Sequence, residues 1–77
     1  MSKEYTGELL ATKIIGICMN QAYTVEEISR KIYKDGGHSK SIVRVFQCVE
    51  ILLKHGVLVP KFNNRVLKFQ VDKESLL

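Results

Sequence analysis

The chain has 77 residues and carries a formal net charge of +4. A domain of this size buries only about 60% of the surface its unfolded chain exposes, so there is room for one core and no second lobe, and a deep enzymatic pocket is disfavoured. Hydrophobic residues at 45% and charged residues at 26% are the balance of a folded globular chain, not of a disordered or membrane-embedded one. No apolar run approaches the roughly 18 residues of a membrane span, and Met1-Ser2-Lys3-Glu4-Tyr5 has no apolar signal core. A single domain over residues 1–77 in the cytoplasm, associated with a nucleoid or inside a host cell, is the expectation. Two cysteines, Cys18 and Cys48, are too few for a disulfide scaffold.

The charge is unevenly placed. Up to residue 39, Lys3, Lys13, Arg30, Lys31 and Lys34 balance Glu4, Glu8, Glu26, Glu27 and Asp35. From residue 40 onward, Lys40, Arg44, Lys54, Lys61, Arg65, Lys68 and Lys73 face only Glu50, Asp72 and Glu74, so this half holds the whole excess. A one-sided basic field suits a polyanion, because each neutralised phosphate releases condensed counterions. A merely solubilising surface is the plainer alternative.

Along the chain, Leu10, Ile14, Ile17 and Cys18 recur at helical spacing and predict a first helix from about Thr6 to Asn20. Thr6 is its candidate cap, Glu8 suits the positive end of its dipole, and Gly16 is a candidate point of close helix approach. Thr24 with Glu27 forms a capping box, and Tyr23 with Ile28 a candidate staple, opening a short second helix that ends near Lys34. Glu26 with Arg30 and Glu27 with Lys31 are i,i+4 pairs in the favoured order. Asp35-Gly36-Gly37-His38 reads as a turn. Ser39 then caps a third helix that runs to about His55, with Gly56 at its C′ position. Ile42, Val45, Phe46, Val49, Leu52 and Leu53 form its apolar stripe, with Ile42, Phe46, Val49 and Leu53 set against the core. After Gly56 the period falls to two. Val57 to Phe62 and Arg65 to Val71 form a hairpin turning on Asn63-Asn64, with Phe62 opposite Arg65 and Leu58 opposite Phe69. Leu58, Leu67, Phe69 and Val71 share its apolar face, Pro60 sits at the outer edge, and residues 72–77 form a short tail.

The order helix, helix, tight turn, helix and β-hairpin resembles the winged helix-turn-helix family over nearly the whole chain, from Thr6 to Val71. The resemblance is one of pattern, and the glycine-rich Asp35–His38 turn departs from many such turns. It implies an α+β fold of three helices and a two-stranded wing. It also implies a small DNA-binding transcriptional regulator of the archaeal, bacterial or archaeal-virus type, often dimeric, with the third helix in the major groove and the wing on the backbone. On the stripe read above, the outer face of the third helix presents Lys40, Ser41, Arg44 and Gln47, residue types that read base edges. Lys61, Arg65 and Lys68 on the hairpin suit phosphate or the minor groove, although edge strands also carry lysine simply to prevent aggregation. Double-stranded DNA is therefore the expected partner. The alternative is a winged-helix protein-docking module with only non-specific affinity for nucleic acid.

Ile51, Leu9 and Ile15 fall off the main apolar stripes and predict a homodimer. Cys18, Cys48, His38 and His55 lack metal-ligand spacing, so no metal, cofactor or small-molecule substrate is expected. Buried free thiols are the simpler reading of the cysteines, with a Cys18–Cys48 bond open if the first and third helices pack. His55 suits the C-terminal dipole of the third helix. No residue set has the spacing of catalytic machinery, so an enzyme is not expected.

Overall fold

The computed structural model describes residues 7–33 and 39–76. In chain order these form α1 (Gly7–Cys18), α2 (Val25–Ile32), α3 (Ser39–Lys54), β1 (Leu58–Asn63), β2 (Val66–Val71) and a closing 3-10 turn (Lys73–Leu76). The chain is α+β, three helices followed by a two-stranded antiparallel hairpin. α2 ends at Ile32, where Tyr33 is already extended, short of the expected end near Lys34. Thr6, the Asp35–His38 turn and Leu77 lie outside the described residues.

Each boundary has a local cause. The α2 capping box forms: Glu27 N–H donates to Thr24 Oγ1 at 3.1 Å and Thr24 N–H donates to Glu27 Oε1 at 2.9 Å. Two of the helix's four orphan donors are thereby satisfied. The far end of α3 closes in a Schellman motif: Gly56 N–H donates to the Leu53 carbonyl at 3.0 Å and Val57 N–H to the Leu52 carbonyl at 2.9 Å. This needs the left-handed φ of 78° at Gly56, a conformation in which a side chain would be strained. Ser39 is the first residue of α3 itself, and α1 ends at Cys18 instead of extending to Asn20. Gly16 faces open space, so it marks no close helix approach.

The core is one cluster. Leu10, Ile14 and Cys18 from α1, Ile28 from α2, and Val45, Cys48, Val49 and Leu52 from α3 meet Leu58, Phe69 and Val71 of the hairpin. Within it α3 has a different phase from the sequence reading. Val45, Val49 and Leu52 of the apolar stripe are buried, but of the four residues set against the core only Val49 is; Ile42 and Leu53 are half-buried, and Phe46 is 47% exposed. The inward set is Ser41, Val45, Cys48, Val49 and Leu52, a rotation of roughly 90° about the helix axis at about 100° per residue. Apolar residues occupy most of the circumference of α3, so spacing alone does not select its inner face. The narrow side chains of Ser41, Val45 and Cys48 let α3 sit close among α1, α2 and β1, against which it packs.

The hairpin also differs, by register. Leu58 pairs with Val71, Pro60 with Phe69, Phe62 with Leu67 and Asn63 with Val66, so the turn falls on Asn64-Arg65. Both turn residues have positive φ, 53° and 68°, as a type I′ turn requires. The register is held at the base, not at the turn. Tyr23 N–H donates to the Phe69 carbonyl at 3.0 Å, Phe69 N–H donates to the Tyr23 carbonyl at 2.7 Å, and Asp72 N–H donates to the Val57 carbonyl at 2.9 Å. These bonds and the buried Leu58 outweigh the roughly 1–2 kcal/mol of placing arginine in the left-handed region. The shift against the expected pairing is two residues, which preserves the faces: Leu58, Phe69 and Val71 remain together. Because Phe69 turns its amide groups toward Tyr23, the Pro60–Phe69 pair needs no ladder donor from Pro60.

Candidate nucleic-acid interface

The outward side of α3 begins with Lys40, Val43 and Gln47, all exposed, with Arg44 half-buried at its flank. Ser41 departs from the expected base-reading set. At 7% exposure it belongs to the buried side of α3, a consequence of the rotation described above. Val43, at 52% exposure, takes the central outward position instead. Phe46 and Ile42 lie on the opposite flank from Lys40 and Arg44, facing the hairpin.

The hairpin adds three cations. Arg65 stands exposed at the turn, and Lys61 is exposed on β1 directly opposite Lys68 of β2. Two like charges across a ladder repel, at a cost of roughly 0.2–1 kcal/mol, which a bridging anion would remove. Lys68 is half-buried, and its charge also acts on Glu27. The Glu27 carboxyl is held below its usual value of 4.5, first by the Thr24 N–H bond and then by Lys68 and Arg30, with partial desolvation opposing. Lys31 Nζ stands 4.9 Å from the centre of the Tyr23 ring, so Tyr23 is gripped from α2 as well as by β2.

Between these basic elements lies a feature that sequence reasoning missed. Thr24, Val25 and Glu26 at the start of α2, Ile42, Val43 and Phe46 of α3, and Val66, Leu67 and Phe69 of β2 line an open groove of about 520 Å³. Its walls are mostly apolar. Beside it Phe62, the ladder partner of Leu67, is 76% exposed. The sequence signal for Phe62 was its place near a turn; the groove had none, because three separated segments build it.

The remaining candidates lead away from chemistry. Cys18 and Cys48 are buried free thiols, unbonded to each other; burial pushes Cys18 up to about 11 and raises Cys48, so both stay protonated at neutral pH. Among the described residues no group of three or more His, Cys, Asp or Glu could hold a metal ion, and no helix is long and apolar enough to cross a membrane. His38 lies outside the described residues, and His55 is exposed just after α3. Leu9 and Ile51 are exposed and Ile15 half-buried. The chain matches no protein-family model, no curated protein and no solved structure.

Proposed function

We propose that the protein is a winged helix-turn-helix domain that binds double-stranded DNA in a sequence-specific way, as a small transcriptional regulator in the cytoplasm. Lys40, Arg44 and Gln47 read base edges in the major groove, and Val43 between them contacts a thymine methyl. Lys61, Arg65 and Lys68 hold phosphate or the minor-groove edge. The observation that carries this reading is the pairing of two basic surfaces. The exposed start of α3 holds Lys40 and Gln47 with Arg44 at its flank, and the adjoining ribbon sets Lys61 opposite Lys68 with Arg65 at its tip.

A mobility-shift titration tests it. Arg44→Ala weakens binding to a preferred duplex by about 1–3 kcal/mol and relaxes its sequence preference. Lys68→Ala weakens all sequences alike and lowers the salt slope by about one. Unchanged affinity and preference in Arg44→Ala would remove the base-reading role. The apolar groove favours a second reading, a protein-docking module. Such a module retains no preferred duplex at physiological salt, whereas a regulator does.

A further inference from the structure

We infer that the groove between α2, α3 and β2 is the seat for the hairpin tip of a second copy of this chain, with Phe62 as the inserted side chain. The two halves of such a contact are both present on one molecule. Phe62 is the most exposed of the large apolar side chains among the described residues, and it does not line the groove of its own chain. Leu67, directly across the ladder from it, does. Finger and groove are therefore adjacent, and a two-fold axis beside Leu67 carries each Phe62 into the other copy's groove. This is the self-complementary geometry of an isologous dimer. At about 520 Å³ the groove has room for a phenyl ring among Val25, Ile42, Phe46 and Leu67.

Charge selects the same occupant. The finger carries Arg65 at the turn beside Phe62, Lys61 on its opposite face and no acidic residue from Leu58 to Val71, while the groove's lining includes the exposed Glu26. An aromatic tip with Arg65 beside it, entering an apolar groove that carries Glu26, is complementary in shape and in charge. Lys40 and Arg44 occupy the flank of α3 turned away from Ile42 and Phe46 and stay outside the contact, whereas Val43, which lines the groove, and the tip cations are shared between it and the proposed DNA surface. It does not rest on the DNA reading, because self-association is measured without nucleic acid.

The experiment is sedimentation equilibrium on the intact chain from micromolar to low-millimolar concentration, with circular dichroism confirming that each variant is folded. The wild type forms a reversible dimer. Phe62→Ser raises its dissociation constant by about tenfold or more. Glu26→Lys weakens the dimer, and adding Arg65→Glu to Glu26→Lys restores it. If Phe62→Ser fails to fold, the Glu26 and Arg65 pair decides alone. A wild type monomeric throughout the range overturns the inference. So does a dimer indifferent to these variants, which moves the contact to another face such as that of Leu9 and Ile51.

Discussion

The base and the tip of the hairpin are built from the same two strands with the same alternation, yet they have opposite fates. At the base, Leu58, Phe69 and Val71 are buried, Tyr23 bonds both amide groups of Phe69, and Asp72 closes onto Val57. At the tip, on the same face, Phe62 and Leu67 are exposed, and the turn sets Asn64 and Arg65 at positive φ with no glycine. The difference is reach. The helices and the Tyr23 bridge cover the ladder as far as its third pair, Pro60 with Phe69, and beyond it the ribbon projects past the core. Stability is concentrated where the ribbon is clasped. What projects keeps apolar and cationic side chains outside the core, and the contacts proposed above fall there.

The sharpest way to break this comparison is to truncate one aromatic at each end. Phe69→Ala should lose about 3–5 kcal/mol of unfolding free energy in urea titration, enough to leave so small a domain largely unfolded. Phe62→Ala should change it by no more than about 0.5 kcal/mol. Equal losses would mean that the tip is structural. Next in size, Thr24→Ala removes the cap beside the Tyr23 clasp and should cost about 1 kcal/mol, read in the same titration. A smaller change of opposite sign is expected from Arg65→Gly. It relieves the left-handed strain and should stabilise the chain by up to about 1 kcal/mol while weakening duplex binding, so stability and affinity move apart at the tip.

The smallest effect is one of pH. Glu27 has a lower carboxyl pKa folded than unfolded, so its contribution is fully present above the unfolded value near 4.5 and is lost as pH falls through the lower folded one. Glu27→Gln keeps an acceptor for the Thr24 N–H and should flatten that acid limb in thermal melts between neutral and acid pH. An unchanged limb would assign the acid sensitivity to other carboxylates.

Elements with a local cause were legible before any coordinates. The Thr24–Glu27 box and the Gly56 terminator depend on neighbours a few residues away, and both form as read. Lys40 and Gln47 emerge exposed for the same reason that polar residues usually do. The phase of α3 was hidden because apolar side chains nearly encircle it. The buried Ser41 and the exposed Phe46 follow from the close fit to its neighbours, which spacing does not encode. The register was hidden because Asn63-Asn64 and Asn64-Arg65 both make two-residue turns, and the deciding bonds come from Tyr23 and Val57 far from the turn. Since the error was two residues, the faces survived it and only the partners changed.

The proposed function requires the exposed start of α3 and the projecting ribbon to recognise a particular DNA sequence together. Selection of bound duplexes from a random pool at physiological salt tests it most directly. The wild-type chain should enrich a single recurring motif, which Arg44→Ala should lose. A pool that stays random, or a motif untouched by that substitution, would contradict it.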